Sequence, residues 1–185
     1  MDKTVVLNTI NQIKDGRTDL FKTFVDEYSQ PLYVFVSSMM NNAYHAEDIV
    51  QDTFLSAFKN IHSYSPQKSA FSTWLFTIAK NRCVNEFKRK KPDSNIRVSS
   101  LPDTSNESQK MIDINFFKIL DNALARLSDD EKTIFILAEI QEFSYEEIND
   151  ITKIKVGTIK SKLSRTKMKL RNLLEEKIGE NHENK

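Results

Sequence analysis

Eight lysines and arginines fall between Lys153 and Arg171, with no aspartate or glutamate among them. Side chains of this kind donate to phosphate oxygens and, in a major groove, to guanine O6 and N7. Thr158, Lys160, Ser161, Lys162, Ser164, Arg165 and Lys169 lie mainly off the repeat Ile159, Leu163, Thr166 and Leu170. One helix therefore carries a core stripe and a basic side. Just before it, Ser144-Tyr-Glu-Glu147 is a capping box opening a short helix. Its Ile148 and Ile151, with Ile154 in the turn, are placed to meet the stripe. A short capped helix, a turn and a long basic helix from Val156 form the pattern of a DNA-reading helix-turn-helix. The bland alternative is a plain basic amphipathic helix.

A second basic run, Lys80 to Lys91, holds six basic residues against Glu86 alone. Tyr64, Phe71, Trp74 and Phe76 cluster with Lys68 just ahead of it. Bases of single-stranded nucleic acid stack on rings for roughly 1–3 kcal/mol each, and cations track the backbone. Packing competes as an explanation, because Phe71 and Trp74 share a stripe with Leu75 and Ile78. At about 100° per residue, Thr73, Thr77, Lys80, Asn81 and Lys88 share the opposite, outer face.

A third run, Ala46 to Phe58, sets Glu47, Asp48, Gln51 and Asp52 opposite an apolar stripe that includes Ile49, Val50, Phe54 and Ala57. With no histidine or second motif, these carboxylates read as a solvated or protein-docking face, not as a metal or acid–base site. Little else points to catalysis. The glycines are Gly16, Gly157 and Gly179, so there is no phosphate-binding loop. His45, His62 and His182 fit no metal spacing, and Cys83 sits inside a helix as a structural thiol. The expectation is no catalytic residue, no metal and no cofactor.

Helices must position all of this. Leu20, Phe21, Phe24, Val25 and Tyr28 are helically spaced, as are Leu32, Phe35, Val36 and Met39. A helix starts near Ser69. Phe116, Phe117, Leu120, Ala123, Leu124 and Leu127 mark another. Ser128-Asp-Asp-Glu131 caps the next, and the long helix runs to about Glu175. Residues 92–110, rich in Ser, Asn, Asp and Pro, read as a flexible linker. The expected fold is all-α: an N-terminal domain over 1–91, the linker over 92–110, a helix-turn-helix domain over 111–178 and a polar tail over 179–185. The 185 residues are 39% hydrophobic and 29% charged, with a formal net charge of +1. The two basic patches thus stand on an acidic body, which suits a polyanion partner. No apolar run is long enough to span a bilayer, no secretory signal opens the chain, and one cysteine suits a reducing cytoplasm.

The order of these pieces resembles the extracytoplasmic-function (ECF) sigma factors of bacteria, from about Ile10 to Leu174. Ala46 to Phe58 looks like the family's polymerase-binding helix, and Phe71 to Arg82 like its minus-ten reading and melting helix. Leu127-Ser-Asp-Asp-Glu and Phe143-Ser-Tyr-Glu-Glu-Ile look like the opening of its C-terminal domain. Val156-Gly-Thr-Ile-Lys-Ser-Lys-Leu looks like its minus-thirty-five recognition helix. The resemblance implies that Asp48, Gln51, Asp52 and Phe54 dock on core RNA polymerase, through the β′ and β subunits. It implies that Tyr64, Lys68, Lys80, Asn81, Arg82 and Lys88 meet the minus-ten region. A loop from about Ser63 to Ser69 would hold an unstacked base. Thr158, Lys160, Ser161, Lys162, Ser164, Arg165 and Lys169 would meet the upstream element. An anti-sigma factor is a further partner that such systems imply.

Three positions depart from the family pattern. Lys153 stands where Gly is frequent, so the turn either tolerates a left-handed residue or changes shape. Lys155 replaces a frequent Pro, and Lys162 a frequent Arg. The chain is read as a non-enzymatic ECF-type sigma factor. The rival readings are a stand-alone helix-turn-helix regulator, a nucleic-acid enzyme, and a protein whose basic helices bind acidic partners or membranes.

Overall fold

The computed structural model of the chain describes residues 1–40, 43–89 and 122–183, with side chains described through Glu175. The expected linker at 92–110 and the helix start at Phe116, Phe117 and Leu120 lie outside the described residues. The described elements are helical. No described helix is long and apolar enough to cross a membrane.

The first helix, α1 (Lys3–Lys14), was missed by the sequence reading. Its signals were present: Val6, Ile10 and Ile13 repeat at helical spacing, all buried. Asp2 caps it, its carboxylate accepting from the Thr4 N–H at 2.8 Å. The two apolar repeats that follow belong to one helix, α2 (Phe21–Met39), which runs through Pro31. Next come α3 (Ala43–Lys59), a 3₁₀ turn at Ile61–Ser63, and α4 (Phe71–Arg89). The helix begins two residues after the expected start near Ser69, because residues 65–70 form a loop before the Ala70 carbonyl accepts the Trp74 N–H at 3.0 Å.

Both capping boxes form. Ser128 opens α5 (Asp129–Phe135) and Ser144 opens α6 (Tyr145–Thr152), each exchanging hydrogen bonds with the glutamate three residues on. Between them lies a π-helical turn, Ile136–Ile140. At its end Glu142 is left-handed (φ 56°). The Phe143 N–H then returns to the Leu137 carbonyl at 2.9 Å. This closure satisfies an orphan helix carbonyl and turns the chain sharply. The final helix, α7, spans Val156–Glu183. It outruns the expected end near Glu175 and takes in most of the expected tail. Leu170 packs there with Ala123, Leu124 and Leu127, and Leu173 and Leu174 lean on the same cluster.

One core serves both halves. Phe24, Leu32, Phe35, Leu75 and Phe76 are sealed together with Ile134, Leu137, Ile148 and Ile151. The seam between the halves runs along α4 and α6. The Phe143 ring meets Phe76 edge-on at 4.9 Å. The Thr73 hydroxyl donates to Glu147 at 3.4 Å. Nearby, the Thr133 hydroxyl reaches the Met39 sulfur at 3.5 Å. Thr73 was expected on an outer face; it is buried, because α6 packs against that side of α4.

Candidate nucleic-acid interface

The helix-turn-helix is built from α6, its turn and α7. Ile159, Leu163 and Thr166 are buried on α7 and Ile148 and Ile151 on α6, so the expected stripe does seat the long helix. Leu170 serves the second cluster, with Ala123, Leu124 and Leu127. Lys153 resolves the question of the turn: it adopts the left-handed conformation, φ 64° and ψ 17°. Its N–H bonds the Asn149 carbonyl at 2.7 Å. The Asn149 amide holds the Ile154 carbonyl at 2.8 Å, and the Thr152 hydroxyl accepts the Ile154 N–H at 3.2 Å. Side chains on α6 thus fix the turn without a glycine. The Lys155 carbonyl accepts from Thr158 and Ile159, so the helix starts at Val156 without a proline.

The basic side of α7 divides into a ridge and two flanks. Opposite the core stripe stand Ser161, Ser164, Arg165 and Met168, all exposed. The Arg165 Nε donates to the Ser161 carbonyl of its own helix, at 3.1 Å. The flanking cations lean on neighbours. Lys162 pairs with Asp130 at 3.0 Å, Lys167 with Glu139 at 2.8 Å, and Lys169 with Glu131 at 3.5 Å. Lys169 also donates to the Arg126 carbonyl at 2.8 Å. On the flank of Lys167, seven residues earlier, Lys160 lies 5.5 Å from the Tyr145 ring centroid. Thr158 is exposed at the helix start. Met168, 64% exposed, was not singled out from the sequence. Its signal was an apolar residue seven positions beyond Ser161, away from the stripe.

Glu131 ties the flank to the fold. The Ser128 N–H, first, holds its carboxyl below the usual range against the opposing effect of burial, and the Ser128 hydroxyl and Lys169 add to the lowering.

On the other half, α3 presents Asp48, Gln51 and Asp52 on an exposed stripe. Leu55, 54% exposed, continues it one turn on. Its position off the core stripe was legible in the sequence and went unused. Phe54 departs from the docking expectation: it is buried against Phe21, ring centroids 6.5 Å apart. Its helical register points it inward, behind the exposed stripe. Asp52 is paired across to α4, with Arg82 at 2.8 Å. A residue expected at polymerase and one expected at DNA thus hold each other.

The remaining minus-ten candidates spread widely. Lys68 is exposed in the loop, Asn81 and Lys88 are exposed on α4, and Lys80 is half-buried. Tyr64 departs from expectation. It is 4% exposed and packs on Phe71 and Trp74 at 5.6 and 5.3 Å. Its hydroxyl donates to the Ser69 carbonyl at 3.1 Å. Tyr64 therefore shapes the loop from within and offers no ring face for stacking. Burial pushes the Cys83 thiol up to about 12, so it stays protonated and inert. Among the described residues no group of three or more His, Cys, Asp or Glu is placed to hold a metal ion.

The sequence matches the family model for Sigma-70 region 2 over residues 24–92 and that for Sigma-70, region 4 over residues 117–170. It is 31% identical over 182 residues to the ECF RNA polymerase sigma factor SigW of Bacillus subtilis, covering 92% of this chain and 97% of that one. It is 34% identical over 143 residues to EcfG of Rhodopseudomonas palustris, covering 77% and 78%. The fold is similar to the sigma factor RpoE of Bartonella quintana, solved in complex with the anti-sigma factor NepR. That likeness has a TM-score of 0.72 at 28% identity and covers 84% of this chain and 96% of that one. Two regions in order, a relative matched nearly end to end and a shared two-part helical fold agree: the chain belongs to the ECF RNA polymerase sigma factors.

Proposed function

We propose that this sigma factor divides promoter engagement between its two halves. As a family member it binds core RNA polymerase and directs promoter recognition, duplex opening and transcription initiation. In our reading α3 docks on the polymerase β′ subunit through Asp48, Gln51, Asp52 and Leu55, with β nearby. The loop at 63–69 with Lys68, and α4 with Lys80, Asn81, Arg82 and Lys88, follow the opened strand. The ridge of α7 reads the upstream element through Ser161, Ser164 and Arg165. Thr158, Lys160, Lys162 and Lys169 meet phosphates beside it.

The observation that carries this reading is the ridge itself: exposed donors on the side of α7 directly opposite a sealed core stripe. The chain contributes no catalytic group in this reading; polymerase does the chemistry, in the cytoplasm. The stand-alone regulator is not favoured, because a region for polymerase binding accompanies the helix-turn-helix. The Bartonella relative is held by an anti-sigma factor. A partner of that kind is proposed here too.

Minus-ten and minus-thirty-five elements lie roughly 25 base pairs apart, or about 85 Å of duplex. In the structure α4 and α6 touch. Gripping both elements at once therefore requires Phe143 to leave Phe76. Asp52→Ala should weaken core-polymerase binding about tenfold (about 1.4 kcal/mol), measured by titration of labelled protein. Unchanged core affinity would remove the docking assignment. Gel shifts with and without core enzyme test the regulator reading, which demands tight promoter binding by the free chain.

A further inference from the structure

We propose that Lys14, on α1, is a positioning residue for capture of an unstacked promoter base. The proposal rests on the reading of the 63–69 loop as the base-holding element. The loop hangs from two tethers. At its start the Lys14 ammonium donates to the Tyr64 carbonyl at 3.0 Å, in a half-buried setting. At its end the Tyr64 hydroxyl donates to the Ser69 carbonyl at 3.1 Å. Between them the Lys68 N–H closes a turn onto the Ser65 carbonyl at 3.1 Å, which leaves Lys68 at an exposed tip.

The Tyr64 tether is locked by packing, since its ring is buried against Phe71 and Trp74. The Lys14 tether crosses from another helix and sets where the loop begins. That helix also builds the adjoining cleft. A cavity of about 200 Å³ lies between α1, α2 and the loop, lined by Lys3, Val6, Tyr28, Pro66, Ser69 and Phe71 among others. It exceeds the roughly 150 Å³ that accepts a benzene ring. It pairs the half-buried Tyr28 ring, backed by the buried Phe71, with polar loop atoms, the combination that reads a flipped base by stacking and edge hydrogen bonds. All its lining residues belong to the N-terminal half, so the seam with α6 does not supply them. A carbonyl held by an ammonium keeps the loop rim at a fixed distance from the α1 wall. Without that hold the rim drifts relative to the ring, and a shift of about 1 Å is enough to degrade a preorganised site.

The test uses wild-type, Lys14→Met, Lys14→Arg and Lys68→Ala proteins assembled with core polymerase. Promoter fragments are first selected by wild-type holoenzyme from a randomised duplex library. Each base is then placed in turn at every position of the melted element. Open-complex formation is followed by 2-aminopurine fluorescence. Lys14→Met should lower open-complex formation about fivefold and flatten the base preference at one position. Lys14→Arg should restore both, with core affinity unchanged throughout. If Lys68→Ala alters base preference and Lys14→Met does not, the positioning role is overturned while the loop reading stands. If neither alters it, the loop reading itself has failed. A Lys14→Met defect that appears equally as lost core affinity marks a general structural role and also overturns the proposal.

Discussion

The basic helices α4 and α7 look alike in sequence, yet the fold presents them differently. On α7 the core stripe lies on one side, and the opposite ridge of Ser161, Ser164 and Arg165 is open to any groove. Its flanking lysines lean on Asp130, Glu139 and Glu131 and are held in a fixed frame. On α4 both sides are occupied. Phe71, Leu75 and Ala79 face the N-terminal core, while Thr73 and Phe76 meet α6 and Phe143. Its Arg82 is paired with Asp52 on α3. The difference teaches that a charge count says how much basic character a helix has, but not how much is available. The ridge of α7 is open as built; α4 is covered by the seam at Thr73 and Phe76 and exposed beyond it at Asn81 and Lys88.

The strongest way to break this comparison is to break the seam. Phe143→Asp places a carboxylate against Phe76 and should destabilise the seam by on the order of 3 kcal/mol. Donor and acceptor dyes on α3 and α7 should then report a large loss of energy transfer. Retained transfer would mean that the packed arrangement does not depend on this ring.

The ridge-and-flank distinction on α7 is sharpened by a pair of substitutions. Arg165→Ala should weaken holoenzyme binding to the upstream element by roughly 1–3 kcal/mol, about tenfold to a hundredfold. Lys162→Ala should cost less, because its ammonium is already paired with Asp130 and acts on phosphate as a point charge. Competition binding at fixed salt decides it. An equal or larger Lys162 effect would erase the distinction.

A smaller effect tests the turn that aims the ridge. Lys153 sits at φ 64°, where a side chain is strained and glycine is not. Lys153→Gly should raise stability by about 0.5–1 kcal/mol, read from chemical denaturation. A loss of stability would show that the strain is absent.

The smallest effect is electrostatic. Glu131 has its carboxyl held below the ordinary glutamate value of 4.5, first by the Ser128 N–H. A depressed carboxylate contributes stability that is present above its unfolded value and lost as pH falls through its folded value. Stability should therefore decline below about pH 4.5 in part through this group. Glu131→Gln should flatten that part of the profile, and an unchanged slope would exclude it.

Much of this was legible in the sequence, for local reasons. Ser128 with Glu131, and Ser144 with Glu147, announce helix starts because a cap needs only three neighbouring residues. Ile159, Leu163 and Thr166 announce the buried side of α7 because helical period alone places them together. Helix α1 was legible too, through Val6, Ile10 and Ile13, although its one face carries few apolar residues and no strong charge pattern. Phe54 and Tyr64 were misjudged for a different reason. An aromatic beside polar residues has the same letters whether it faces a partner or a core, and only register against the other helices decides. Gln51 and Leu55 lie outward by that same register.

The helical class, the helix starts and the order of the two regions that mark the family are written in the amino-acid order itself. These depend on hydrogen bonds and periodicities within a few residues. Tertiary packing alone placed α6 over one side of α4, turned Lys162 and Lys169 aside to α5, and brought Lys14 to Tyr64 across fifty residues. Each of those joins groups distant in the chain. Their geometry is set by how helices pack, which no local pattern encodes.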